Sequence, residues 1–350
     1  MSQRKYKILV IGPGGRHIEN FIERIRQDAQ EIVLITDREF ESNAVKEKHR
    51  VSFSLRRLMN HVQTPKKIAE IIKCTNPDII HVHQLNSVAY YSVRANRKHK
   101  LPLVVTAWGS DVLINPEKSR ILKSLVKYVL NRATAFTADA HFVGDTMQKL
   151  VPEKKLDVTI CNFGVRETNL TIEKKQVVYS NRLHNKLYRI EEVLIAFSKF
   201  YQKNKDWKLI VAATGTETEM LQKKSIELGI NEVVEFPGFV SAEENNKNYA
   251  KAKIYVSIPE SDATAISLLE AMYYECIPVV SNLPANHEWV QDGVNGVIVE
   301  HIKDEFISKA LPLLDGDAGS KNRKIILDKG TENASRSIFV GLHERLISMK

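Results

Sequence analysis

The chain is poor in cysteine: Cys74, Cys161 and Cys276 are the only three in 350 residues. They are scattered, form no metal-ligand spacing and cannot all pair, which fits a reducing cytoplasm. The sequons at Asn169 and Asn333 are therefore expected to stay unmodified. No run of eighteen apolar residues occurs, so no segment reads as a membrane-spanning helix. The opening MSQRKYKILVIG lacks the apolar core and small-residue cleavage site of a secretory leader. A cytoplasmic location is expected. Short-period repeats and low-complexity tracts are missing as well. Aromatic residues do not interleave with the basic runs, and no nucleic-acid-binding module is legible, so a nucleic-acid partner is not expected.

What is present is enough apolar material, 43%, for two separate cores. The net charge of +9 is unevenly spread: residues 1–160 carry 27 Lys and Arg against 16 Asp and Glu, and residues 161–350 carry 24 against 26. The basic first part favours an anionic partner, such as a phosphorylated substrate or an anionic membrane surface. The stretch EKSRILKSLVKYVLNR, 117–132, sharpens this, because Ile121, Leu122, Leu125, Val129 and Leu130 form a stripe among lysines. Such a helix either lies on anionic lipid or turns its stripe into the core.

Short apolar runs alternate with amphipathic stretches along the whole chain. YKILVIG, EIVLIT, DIIHVH, LPLVVTAW, ATAFTAD and DVTICNFG read as buried parallel strands, with helices near 16–28, 64–75, 86–98, 117–131 and 143–150. The polar run RETNLTIEKK, 166–175, reads as a linker. The alternation restarts with QVVYS, WKLIVAA, VVEFPG, KIYVSI and IPVVS, and with helices near 190–203, 217–228, 242–250 and 264–275. This predicts an α/β chain of two Rossmann-like, doubly wound parallel sheets facing a central cleft, with ligands beyond the strands' carboxyl ends. The expected domains are 1–168, 169–330 and a C-terminal helix, 331–350, packing back on the first domain.

Several segments carry chemistry. In SDATAISLLEAM, 261–272, Asp262 and Glu270 stand eight positions apart, and small residues fill the loop before a Leu/Ala helix. Eight helical residues turn about 800°, so the two acids do not share a face cleanly. Asp262 reads as a loop residue and Glu270 as one to two turns inside the helix. The amides of Thr264, Ala265 and Ile266 would then form an anion-binding helix start. A capped surface helix is the plainer reading. IGPGGRH follows the first strand, and Gly14 and Gly15, with Gly12, would let backbone approach phosphate or sugar. His81 and His83 alternate along IIHVH and share one strand face. No third ligand stands at recognisable spacing, so no metal site is expected. The Asp-Gly-Asp at 315–317 reads as a turn.

The run SDATAISLLEAMYYECIPVVSNLPANHEWVQDGVNGVIV resembles the C-terminal signature of the family 4 retaining glycosyltransferases, whose fold is the two-domain GT-B architecture. The likeness extends over about 175–300, and more loosely over 1–165 through the glycine loop and TAWGSD. It implies that Glu270 holds the nucleotide ribose and that Asp262 contacts the transferred sugar, although Asp262 is one methylene shorter than the family's usual acid. Ala263 and Ala265 stand where glycines are usual. Arg182 matches the family's diphosphate-binding arginine. Its lysine falls out of register at Leu187, so Lys186 or Arg189 must substitute, and Lys186 is expected to. Trp108 stands where many members carry a histidine, and it reads either as a wall against a sugar ring or as a structural residue. Asp111 reads as a hydroxyl ligand or a helix cap, and His83 as part of the acceptor side.

The resemblance implies a metal-independent retaining transferase without cofactor. It would move a hexose-type sugar from a nucleoside-diphosphate sugar to a glycan or lipid-linked acceptor, in bacterial-type surface polysaccharide or glycoconjugate synthesis. Peripheral contact with the anionic inner face of the plasma membrane is part of that expectation. The alternatives are a nucleotide-sugar epimerase or hydrolase on the same fold, and a non-catalytic nucleotide-sugar binder.

Overall fold

The computed structural model describes residues 5–39 and 42–349. The chain divides into two compact units, one of Met1–Phe163 with Glu332–Lys350 and the other of Gly164–Thr331.

The first unit is a seven-stranded, wholly parallel sheet. Its elements run β1 (Tyr6–Ile11), α1 (Arg16–Ile25), β2 (Ala29–Thr36), β3 (Glu47–Arg50), α2 (Asn60–Thr75), β4 (Ile79–His83), α3 (Ser87–Asn96), β5 (Leu103–Thr106), α4 (Ser110–Leu113), α5 (Asn115–Lys118), α6 (Arg120–Leu130), β6 (Ala135–Ala138), α7 (His141–Leu150) and β7 (Val158–Ile160). The strand order is β3-β2-β1-β4-β5-β6-β7, so the order reverses between β1 and β4. Helices cover both faces, which is why β1, β4, β5 and β6 are near-continuous apolar runs. β3, Glu-Lys-His-Arg, carries no apolar pattern and escapes a reading by periodicity; as an edge strand it needs none. The helix expected over 117–131 is broken, because Ser119 adopts an extended conformation between α5 and α6. Leu125, Val126, Val129 and Leu130 of α6 are buried, so most of its apolar stripe is core.

The second unit runs β8 (Lys175–Ser180), a 3-10 turn (Lys186–Tyr188), α8 (Ile190–Tyr201), β9 (Lys208–Ala212), α9 (Thr218–Glu227), β10 (Val234–Gly238), α10 (Ala242–Lys251), β11 (Ala252–Ser257), α11 (Ile266–Tyr273), β12 (Ile277–Ser281), α12 (Pro284–His287), β13 (Val297–Val299) and α13 (Ala318–Lys329). Its six parallel strands are ordered β10-β9-β8-β11-β12-β13, repeating the first unit's reversal between β8 and β11. The run 166–175 is not a free linker. Thr168 bonds the hydroxyls of Tyr273 and Tyr274, and Leu170 and Ile172 pack on this unit's core.

The last helix, α14 (Glu332–Ser348), belongs to the first unit. Phe339, Val340, Leu342 and Leu346 join that unit's core. Arg336 grips Asp28 through two bonds of 2.7 and 2.9 Å, and Arg345 grips Asp157 through bonds of 2.8 and 3.0 Å. Its His343 completes a buried chain: Tyr6 Oη to His343 Nδ1 at 2.7 Å, His343 Nε2 to His81 Nδ1 at 2.8 Å, and His81 Nε2 to Thr106 Oγ1 at 2.7 Å. One proton on each ring satisfies every link. No helix among the described residues is long and apolar enough to cross a membrane.

Candidate functional site

In the second unit, β11 ends at Ser257 and the chain turns through Pro259 before α11 starts at Ile266. Ala263 and Thr264 are buried, and Thr264 Oγ1 accepts from Trp289 Nε1 at 3.3 Å, so this loop is packed rather than free. Ala265 is the residue before the helix and supplies no capping oxygen. The first-turn amides of Ile266 and Ser267 are thus left without a side-chain cap, the condition for an anion to bind there.

One guanidinium organises this mouth. Arg182, from the loop after β8, donates through Nη2 to Asp262 Oδ2 at 2.6 Å and through Nη1 to Ser267 Oγ at 2.9 Å. Its carbon stands 4.4 Å over the centre of the Tyr188 ring. Burial works against its charge, but Asp262, Tyr255 and Tyr188 more than offset that and hold Arg182 above its usual range. Burial raises the Asp262 carboxyl, an effect opposed by Arg182 and by the Ala263 amide, which donates to Oδ1 at 3.0 Å. Arg182 and Asp262, expected to contact different parts of a ligand, are therefore in direct contact with each other.

Glu270 lies one turn further into α11 and inward. Asn245 Nδ2 of α10 reaches its Oε2 at 3.4 Å. Asn245 Oδ1 in turn accepts from Tyr179 Oη at 2.5 Å and from Asn181 Nδ2 at 3.0 Å, and Asn181 Nδ2 also reaches Tyr249 Oη at 2.8 Å. Burial pushes the Glu270 carboxyl up to about 7, although Tyr249 and Asn245 pull it down. A carboxylate without a cation, one turn inside a helix and partly shielded from water, is costly to the fold when ionised.

Lys186 and Arg189 are not brought into this group. Lys186 is exposed, and both line a recess of about 830 Å³ with Glu191, Thr216, Glu217 and Glu260, a lining that omits Arg182, Asp262 and Glu270. Arg189 faces Glu260 at 3.6 Å.

In the first unit, the turn after β1 runs through Gly12, Gly14 and Gly15. A Cβ on Gly12 would meet Ile18 Cδ1 at 2.5 Å and His83 Cβ at 3.2 Å, so Gly12 carries the tightest constraint. Gly14 donates its amide to Asp37 Oδ1 at 3.2 Å and does not offer it to a ligand. Gly15 has φ +147° and opens α1 with nothing near its Cβ position. His83 is fully buried, stacked on His81 with centroids 4.8 Å apart and packed edge-on to Phe21 at 4.4 Å. Neither ring nitrogen of His83 has a partner, and burial holds it near 3, hence neutral. It therefore supports Trp108, 6.4 Å away, rather than offering a surface of its own. Trp108 is half-buried, its ring 4.7 Å from that of His17, and its Nε1 is buried without a partner. Asp111 is buried and accepts the amides of Leu85 at 2.7 Å and Trp108 at 3.0 and 3.1 Å. That makes it a clamp between the ends of β4 and β5. Burial pushes its carboxyl up to about 6 against those bonds.

Two family models match the chain: "Glycosyl transferases group 1" over residues 165–326 and "Glycosyl transferase 4-like" over residues 7–140. The chain belongs to the group 1 glycosyltransferases. Among curated members, it is 24% identical over 241 residues to the GDP-mannose:cellobiosyl-diphosphopolyprenol alpha-mannosyltransferase of Xanthomonas oryzae, covering 65% of this chain and 62% of that one. It is 22% identical over 260 residues to the alpha-monoglucosyldiacylglycerol synthase of Streptococcus pneumoniae, covering 66% and 58%. The chain thus spans less than two thirds of the length of these relatives. Anabaena HepE in complex with UDP shares the fold at TM-score 0.81 and 14% identity, covering 98% of this chain and 100% of that one. A glycosyltransferase from Rickettsia africae does so at 0.80 and 16%, covering 99% and 100%. The architecture of this glycosyltransferase-family chain is accordingly GT-B.

Sequence reasoning missed the residues that hold Glu270 and Arg182 in place. Asn245 and Tyr249 are four apart on α10 and so share the face turned to Glu270, a spacing that was legible. Asn181 and Ser267 flank recognised positions, Arg182 and Ile266, but nothing in their spacing marks them.

Proposed function

We propose that the chain is a retaining, metal-independent glycosyltransferase that moves a sugar from a nucleoside diphosphate to a glycan or lipid-linked acceptor. The observation that carries the reading is the half-buried group at the mouth of α11: Arg182 bonded to Asp262 and Ser267, with Glu270 one turn behind. Glu270, once ionised, accepts the two ribose hydroxyls. Arg182 and the amides of Ile266 and Ser267 take the diphosphate, each charge-assisted contact contributing roughly 1.5–3 kcal/mol. Asp262, already held at 2.6 Å by Arg182, orients the sugar from the same guanidinium that grips its leaving group. Transfer with retention then needs alignment and charge stabilisation, the departing phosphate oxygen taking the acceptor proton. Neutral His83 behind Trp108 suits that chemistry, since it does not call for a base there. That HepE is known in complex with UDP, and that both curated relatives act on lipid-borne acceptors by their names, supports the nucleotide and the acceptor class. The acceptor's location implies peripheral contact of the basic first part with an anionic membrane, in glycoconjugate or surface-polysaccharide synthesis.

Thermal stabilisation by UDP-, GDP-, ADP- and TDP-sugars identifies the donor, because a micromolar ligand at millimolar concentration raises stability by about 4 kcal/mol. The anomeric configuration of the product is then read by NMR. Retention, with no loss of rate in EDTA, is the expected result. Donor breakdown without acceptor at the transfer rate would assign a hydrolase or epimerase instead, and binding without turnover a non-catalytic relative.

A further inference from the structure

The turn before α2 and the first turn of that helix expose three apolar side chains. Leu58 is 84% exposed, Met59 66% and Val62 69%. They sit in a stretch of one charge sign: between Glu47 and Glu70 there is no acid, and there are six Lys and Arg residues, among them Arg56, Arg57, Lys66 and Lys67. The backbone here is fixed. Asn60 Nδ2 donates to Ser54 O at 2.8 Å and Ser52 Oγ at 3.0 Å, Thr64 Oγ1 donates to Ser52 O at 2.9 Å, and Arg94 Nη1 donates to the carbonyl of His61 at 2.7 Å. The apolar side chains are therefore held outward by a braced turn.

A further exposed apolar residue lies on another helix of the same unit. Ile121, at the start of α6, is 75% exposed beside Lys118, Arg120 and Lys123. α3 packs between α2 and α6, through His61 against Tyr91 at 5.8 Å and Tyr90 against Tyr128 at 5.3 Å. In a parallel sheet every crossover helix starts at the strands' carboxyl end, so the starts of α2 and α6 share that end with the glycine turn and Trp108.

We propose that the Arg56–Val62 turn rests on an anionic lipid bilayer, with Leu58, Met59 and Val62 in the boundary between headgroups and acyl chains. Arg56, Arg57, Lys66 and Lys67 pair with lipid phosphate. Side chains that project singly from a cationic rim match a soft anionic surface, which supplies hydrocarbon and phosphate together. The inference gives a place to the membrane contact within the proposed function and does not depend on which sugar is moved.

Flotation of the full chain with phosphatidylcholine vesicles, with or without phosphatidylglycerol, tests it. The chain is expected to float with the anionic vesicles alone. The triple variant Leu58→Ser, Met59→Ser, Val62→Ser is expected to bind at least tenfold more weakly, and Arg56→Gln about fivefold more weakly, while both keep the wild-type thermal shift with nucleotide. Wild type failing to float with anionic vesicles would overturn both this docking surface and the membrane contact. Equal flotation of wild type and triple variant would overturn the surface alone.

Discussion

The two units bury ionisable groups in opposite ways. In the first, His81, His83 and His343 are fully buried and held neutral, with burial lowering all three. In the second, burial raises Glu270 to about 7 and leaves it with amide and phenol partners but no cation, while the neighbouring Arg182 stays charged. The histidines are tied into the core and favour folding at neutral pH. Glu270 opposes folding wherever it must ionise. That asymmetry separates a packed interior from a group under electrostatic tension, which is where the proposed donor site lies.

The largest effect expected from this contrast is acid destabilisation of the first unit. Histidines with lowered folded values stabilise the fold above their unfolded value and lose that contribution as pH falls. At one pH unit below about 6.5, each withholds about 1.4 kcal/mol, or roughly 4 kcal/mol for the three together. His343→Phe should flatten the fall of Tm between pH 7.5 and 5.5; a slope equal to wild type would remove the histidine chain from the account.

Glu270→Gln should act with the opposite sign on the second unit. A raised carboxyl stabilises below its unfolded value and loses that as pH rises to its folded value near 7. The variant should therefore gain up to roughly 2–3 kcal/mol at pH 8 and little at pH 4.5, read by denaturant titration at both. Its transfer activity should fall at least a hundredfold. A stable and fully active variant would leave Glu270 as a packing residue.

Arg182→Gln removes the tie between Asp262 and Ser267 together with the proposed diphosphate contact. A tenfold to hundredfold loss of donor affinity follows from roughly 1.5–3 kcal/mol. A loss confined to thermal stability, with donor affinity unchanged, would contradict the role given to the guanidinium. The smallest effect is expected at Trp108→Phe, which deletes a buried unpartnered Nε1 and keeps an aromatic ring toward His17. Stability should rise by up to about 1 kcal/mol, with acceptor KM changed less than fivefold. A collapse of kcat would make the indole a catalytic contact.

Much of the fold was legible because parallel strands buried on both faces must be apolar runs, and eleven of the thirteen lie where such runs stood in the sequence. β3 and β13 escaped, one because an edge strand can be fully polar and the other because Val297–Val299 is only three residues long. At the site, Arg182, Asp262 and Glu270 came from a family signature, and the structure brings the first two into contact. The supporting layer did not come through, since Asn181, Asn245, Tyr179 and Tyr249 converge from β8 and α10 over more than sixty residues of sequence. Gly14, His83 and Asp111 were legible as positions but not as partners. Their amide, ring and carboxylate are turned inward by contacts that spacing does not encode.

The most direct test is calorimetric titration of the stabilising nucleoside diphosphate at pH 7, in two buffers of different ionisation enthalpy, with wild type and Glu270→Gln in parallel. The account predicts that binding to wild type releases a fraction of a proton more than binding to the variant, because Glu270 must ionise to hold the ribose. Equal proton release and equal affinity in the two proteins would contradict it.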